Sequence, residues 1–361
     1  TELVSWTLKP QYFLQRALFP TAFRFSESEQ GGVFNSAVWG LESKFNTFFS
    51  ARTSLNADLT FTSFELNDLE DNTRAKIAAR QLIGNLDSPH IFSLEYNYRD
   101  RLFNGSLGFR TVRSSFGGVI TSPNLTLGNT GISLRYQGSI QHINAETDRE
   151  ELLTSQPEGD RVNLTRYQAA AFFNKGFSLW QGKALPATKD GGLRYTPTPV
   201  VPYLQLFAGI SGVGSVYSNS DIQLSLRGNL GIQGQLGHFS RSWFDYTGFS
   251  LNYSQSIRAD ESPFLFDRDV DRQTISLGIT QQIYGPIRLG VQTSFSLDKQ
   301  DEISTDYILE YSRRTHNVIL RYNPVLEIGS LGLQINNFNW RGNSQPFEEN
   351  NISPVIQGVE R

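Results

Sequence analysis

The sequence predicts an all-β protein, a transmembrane antiparallel outer-membrane β-barrel of roughly 16–20 strands. Three observations predict it. Apolar and polar residues alternate with period two along most of the chain, the pattern of strands with two unlike faces. The runs reach about 10 residues, enough to cross a bilayer at a tilt. Their polar sides carry Arg, Gln, Asn, Ser and Gly, which suit a wet interior better than a dry core.

The clearest run is Ile287–Leu297. Ile287, Leu289, Val291, Thr293, Phe295 and Leu297 share one face, and Arg288, Gly290, Gln292, Ser294 and Ser296 share the other. Arg288, Gln292 and Ser294 are therefore expected to face the lumen. The preceding run places Ile275, Leu277 and Ile279 against Ser276, Gly278 and Thr280. Tyr284-Gly285-Pro286 separates the two, and its Gly and Pro end the ladder. Phe92, Leu94, Tyr96 and Tyr98 form another run, followed by Asn104-Gly105. That dipeptide predicts a type I′ hairpin turn, in which both central residues need a positive φ. Residues 73–84 have helical propensity, but Ala75, Ile77, Ala79, Gln81 and Ile83 fit a strand among strands. Tyr98, Tyr253, Tyr284, Tyr311, Tyr322 and Trp340 stand near run ends, where an aromatic girdle belongs.

Connections around residues 144–160 and 258–271 are long and charged. Those at Tyr284–Pro286 and Arg314–Asn317 are short. Long outer loops and short periplasmic turns explain the asymmetry, with Gly329-Ser330 reading as a short turn out of step. Residues 1–340 then form the barrel. Residues 341–361 form a C-terminal tail, periplasmic or luminal.

Composition excludes several functions. The 361 residues carry 32 Lys+Arg against 35 Asp+Glu, for a formal charge of -3. That balance gives nucleic acid no basic surface. With no Cys there are no disulfides, thiolate metal sites or Cys nucleophiles. The chain shows no initiator Met or signal-peptide pattern, as expected of a mature product or a fragment. No G-x-S-x-G, H-E-x-x-H or Walker motif is present. His90, His142, His238 and His316 are isolated in sequence and read as strand-end or luminal side chains. The chain is expected not to be an enzyme and to need no cofactor or metal.

Asp267, Asp269 and Asp271 begin like a calcium loop, but Arg272 stands at the sixth position and Gly278 at the twelfth. The glycine and glutamate of such a loop are missing. An extracellular Arg/Asp ion-pair loop is the expectation. Pro10 lies inside the apolar stretch Val4–Leu14. Proline lacks a ladder donor, so this segment is either a first strand with a weak seam or a coil leading into the barrel. Pro324 raises the same question within residues 318–328.

Several segments carry a family resemblance. They are Trp6-Thr7-Leu8-Lys9-Pro10-Gln11-Tyr12, Gly237-His238-Phe239-Ser240-Arg241, Ser262-Pro263-Phe264-Leu265-Phe266-Asp267-Arg268, Tyr311-Ser312-Arg313-Arg314-Thr315 and Asn337-Phe338-Asn339-Trp340. Together they resemble a cyanobacterial outer-membrane family that is similar to LptD, the lipopolysaccharide-assembly barrel or organic solvent tolerance protein. The resemblance implies an integral outer-membrane translocon. Lipopolysaccharide would arrive from periplasmic Lpt-type bridge proteins and enter the outer leaflet through a lateral gate between first and last strands. Pro10 and Tyr12 would lie on one side of that gate. Leu331, Leu333, Ile335 and Trp340, in a last strand over Leu331–Trp340, would lie on the other. These residues depart from LptD in their shortness and their lack of Cys, and the N-terminal periplasmic jelly-roll is not among them, as expected if it lies upstream or is not included. Use of a plug lipoprotein as a partner is left open. A passive porin or solute-transport barrel is the alternative.

Overall fold

The computed structural model describes residues 4–13, 38–61, 72–153, 159–237, 242–326, 328–335 and 353–360. Its elements are almost entirely strands. They are β1 (Val4–Phe13), β2 (Val38–Phe48), β3 (Thr53–Phe61), β4 (Thr73–Ile83), β5 (His90–Phe103), β6 (Phe109–Thr121), β7 (Leu125–Thr126), β8 (Ser133–Glu146) and β9 (Arg161–Gln181). Next come β10 (Tyr203–Tyr217), β11 (Ile222–Gly237), β12 (Tyr246–Ala259), β13 (Gln273–Tyr284) and β14 (Ile287–Ser296). The last are β15 (Asp301–Ser312), β16 (His316–Asn323), β17 (Ile328–Ile335), β18 (Ser353–Ile356) and β19 (Val359–Glu360). One helical turn, α1 (Glu150–Leu153), interrupts the β8–β9 connection.

Sixteen strands, β1–β6 and β8–β17, run as an antiparallel meander in which each pairs with the next. Residues 73–83 are a strand, as alternation predicts, and Val4–Phe13 is a strand through Pro10 rather than a coil. Tyr284–Pro286 is a tight turn, with Gly285 at φ 53°. Three local expectations are corrected. Asn104-Gly105 does not make a two-residue type I′ turn, because Asn104 has φ -115° and a 3-10 turn over Gly105–Leu107 follows it. Gly329-Ser330 belongs to β17, and the turn before that strand falls at Pro324–Leu326, where the Leu326 N–H donates to the Asn323 side chain. Tyr98 and Tyr253 lie inside β5 and β12, not at strand ends.

The sheet curls strongly. The turn after β5 and the turn after β14 are eight strand spacings apart, roughly 38 Å along a flat sheet at about 4.8 Å each. Yet Lys299 Nζ donates to Ser106 Oγ over 2.7 Å between those turns. The polar face is the inner one. In β11, Ile222, Leu224, Leu226 and Leu230 are exposed while Gln223 and Ser225 between them are buried. In β14, Ile287, Leu289 and Phe295 are exposed while Ser296 is buried. Across the described residues polar side chains outnumber apolar ones among the buried positions, and large apolar side chains crowd the exposed ones. This inverts the arrangement of a protein surrounded by water.

The end where β1 begins is here the near end, and the end where it stops the far end. The charged connections 147–160 and 260–272 both lie at the far end, as do the four-residue turns 218–221 and 297–300. The near end holds the short turns 285–286 and 313–315, but also the long connection 182–202. Loop length therefore separates the two ends only in part.

Candidate functional site: the filled interior and the outer strands

Two segments lie within the far half of the curl and meet there. The first is the connection 260–272. Proline and three large apolar residues, Pro263–Phe266, sit in an otherwise charged stretch. Burial pulls them inward: Phe264 and Phe266 pack with Leu102, Val112, Ile143, Ala145, Val162, Leu164, Tyr217 and Val355. The second is the β18–β19 hairpin. Its turn holds Gln357 at φ 55° and Gly358 at φ 80°, the left-handed pair a two-residue hairpin needs. A β-carbon on Gly358 would also press on the Asp267 carbonyl.

The acidic triplet holds the first segment to the wall. Asp267 accepts from Arg166 Nη1 at 2.8 Å and from the Tyr217 hydroxyl at 2.9 Å, and also from Ser262. Asp269 accepts from Arg227 Nη2 at 2.6 Å and Ser225 Oγ at 2.6 Å, and from Ser256. Asp271 accepts from the Ser106 N–H at 2.9 Å, and a β-carbon at Gly105 would fall on its carboxylate. All three aspartates are buried. The expected ion-pair loop is thus Arg-paired. Its partners, however, are Arg166 and Arg227 of the strand wall, and the loop is folded inward. Of the interleaved arginines, Arg268 makes a two-pronged contact to Asp148 at 2.7 and 2.8 Å. That contact holds the Asp148 carboxyl below the usual carboxylate range. Asn104 donates to the carbonyls of Leu265 and Arg268 at 2.8 and 2.9 Å, which gives that residue a role other than turn-making.

The hairpin is fixed with comparable density. Gln357 accepts from Ser211 Oγ at 2.5 Å and donates to Ser225 Oγ at 2.7 Å. The Gly358 carbonyl accepts from Arg166 at 3.1 Å and Gln168 at 3.0 Å. Strand β18 aligns parallel with the end of β5, Ser353 opposite Leu102. Val355 and Val359 are buried.

The sequence-predicted luminal residues share the polar face of β14. Arg288 lies 3.7 Å from Glu310 and stacks over the Tyr246 ring at 4.9 Å. Ser294 bonds Ser276 at 2.8 Å, and Gln292 is exposed opposite Gly278. His90 and His142 bond Tyr136 and Thr165, and His316 bonds its neighbour Thr315. His238 lies outside the described residues.

The predicted gate residues fall on the two outer strands of the meander. Pro10 stands opposite Leu41 and Tyr12 opposite Trp39 in the β1–β2 ladder. Leu331, Leu333 and Ile335 are exposed on β17 and pair with Leu320, Val318 and His316 of β16. The last strand of the meander is described over Ile328–Ile335 and so begins three residues before Leu331; residues 336–340, Trp340 among them, lie outside the described residues. Val4 pairs with Thr47 beside the near-end turn, and Ile335 pairs with His316 beside another near-end turn. Tyr12 is therefore a far-end residue, and Leu331 lies level with Leu8. Among the described residues no ladder joins β1 to β17. Val4, Ser5, Trp6, Thr7 and Leu8 are all exposed, on both faces of β1.

Sequence reasoning missed the filling of the interior. The signals for it were the apolar Pro263–Phe266 inside a charged loop, and Val355-Ile356-Gln357-Gly358-Val359, a hairpin pattern, in the tail.

A comparison with curated proteins found no match. Residues 1–339 match the family described as a protein of unknown function, DUF3769. The chain belongs to that family.

Proposed function

We propose that the curled sheet closes into a sixteen-stranded transmembrane barrel of the outer membrane. In this reading it is a non-enzymatic translocon that inserts lipopolysaccharide into the outer leaflet between β1 and β17. Periplasmic Lpt-type bridge proteins deliver the cargo, and membrane lipid surrounds the wall. The inverted sheet supports the membrane. A belt of exposed Leu, Ile, Phe and Tyr on a polar-lined sheet is stable in hydrocarbon and costly in water.

The observation that carries the lateral route is the state of the two outer strands: no ladder joins them among the described residues, and Pro10 stands in one of them. Unpaired backbone groups are expensive in hydrocarbon, so a seam must be short or shielded while closed. A proline lowers the number of bonds that must break to open it. Sugars carrying charge do not cross hydrocarbon cheaply, whereas acyl chains can pass through a parted wall into lipid. A passive porin would use the polar interior as its path, and the two inserted segments stand in that path.

The test locks the seam. Leu8→Cys with Leu331→Cys, at like depth on β1 and β17, is bridged by thiol crosslinkers of graded length. The protein has no native Cys, so the bridge is unambiguous. The locked protein should stay folded and stop delivering lipopolysaccharide, with recovery on cleavage of the linker. Normal delivery by the locked form rules out the lateral gate.

A further inference from the structure

The segments inside the curl reach from wall to wall. Arg227 on β11 holds Asp269, and the turn after β5 holds Asp271 through Ser106 and the backbone of Leu265 and Arg268 through Asn104. Between those points the hairpin touches β5, β9, β10 and β11. Lys299, from the turn after β14, reaches Ser106 on the opposite side. Nothing in this set resembles a loop resting on a surface. Each acidic side chain of the triplet is buried and meets a donor from another element. Both turn residues of the hairpin are bonded to the wall.

From this we infer that the chain carries its own two-part stopper. Residues 262–271 and the hairpin 353–360 close the far half of the interior to solutes, so that cargo entering from the near end must leave sideways. The inference rests on the membrane-barrel reading and deepens it by specifying the route. The two parts depend on each other. Arg166 is the shared post: its guanidinium binds Asp267 of the loop and the Gly358 carbonyl of the hairpin. Ser225 is a second, bonding both Asp269 and Gln357. A change at either post loosens both segments. The contacts of the stopper lie on β5–β6, β8–β12 and the turn after β14.

Conductance of the full chain in planar bilayers tests this, after flotation with liposomes has shown insertion. The unaltered protein should conduct at least tenfold less than R166Q/D267N, an exchange that removes both charges and shortens the shared post while keeping the shape of the acid. Q357G removes two wall bonds and suits the positive φ of that turn, so it should also open the pore and decides the matter if the double variant does not insert. S211C/Q357C bridged by a short thiol crosslinker should stay closed and still deliver lipid cargo. An inserted wild type that conducts like an open pore overturns the stopper. So do variants that stay closed, or a bridged form that no longer delivers. A protein that does not float sinks the membrane reading and the route with it, whereas flotation with open conductance sinks only the stopper.

Discussion

Leu289 and Gln292 lie three residues apart on β14 and sit in opposite environments. Leu289 is 47% exposed on the apolar face, and Gln292 is exposed on the polar one. In water, neither position would resist a charge. In a bilayer, Leu289→Arg, two residues in from the near end of β14, should cost roughly 1–3 kcal/mol, while Gln292→Arg should be nearly neutral. Unfolding in lipid vesicles measures both, and equal damage at the two sites argues against a lipid-facing wall. Arg166 poses a different problem. With its partner Asp267 it is almost fully enclosed. Removing one member of a buried pair leaves an uncompensated charge, so Arg166→Met should cost roughly 3–5 kcal/mol. R166M/D267N should recover a large part of that loss in the same unfolding assay.

At the scale of elements, the strands were legible because a half-exposed strand writes its two faces into every second residue. β13, β14 and the strand form of residues 73–83 follow directly from that pattern. Inserted segments leave no such period. Asp267, Asp269 and Asp271 look the same in sequence whether they face solvent or a buried arginine, and the arginines that decide the matter, Arg166 and Arg227, lie on distant strands. For the same reason Asn104-Gly105 reads as a turn signal while the asparagine serves to dock a loop 161 residues away. The burial of all three carboxylates against protein donors predicts that calorimetry finds no specific calcium site, and a site lost on Asp269→Asn contradicts this arrangement. The Arg268–Asp148 anchor of the loop should be acid-sensitive. Hydrogen bonding from Arg268 depresses the Asp148 carboxyl in the folded protein. A depressed acid adds stability above its unfolded value, about 3.9, and loses it as pH falls through the lower folded value. Protease nicking of residues 260–272 should therefore rise below about pH 4. Asp148→Asn should be nicked faster at neutral pH, with little further change on acidification.

At the scale of the molecule, the exposed indoles among the described side chains gather toward one end. Trp6 lies in the near half of β1, Trp180 at the near end of β9, and Trp243 in the near-end connection before β12. Their exposures are 67%, 47% and 57%. Trp243 stacks against Tyr284 with ring centroids 4.6 Å apart, and exposed Phe48 and Phe49 add to the same rim. Water offers no reason to collect large aromatic rings at one rim, whereas a bilayer does. An indole combines an apolar body with a donor N–H and prefers the headgroup boundary to either water or the hydrocarbon centre. The chain has 5 Trp, so replacing Trp39 and Trp340 by Phe leaves these three as the reporters. In vesicles with brominated acyl chains their fluorescence should be quenched, more strongly by bromine near the carbonyl end of the chain than by bromine near its terminal methyl. Trp6, seated on β1 with its indole N–H donating to Ser43 at 2.9 Å, should show the deepest quenching of the three because its position lies furthest inside the strand. Fluorescence indifferent to bromine at any depth, with acrylamide quenching all three freely, would mean that this rim faces water and that the exposed apolar wall is covered by something other than lipid.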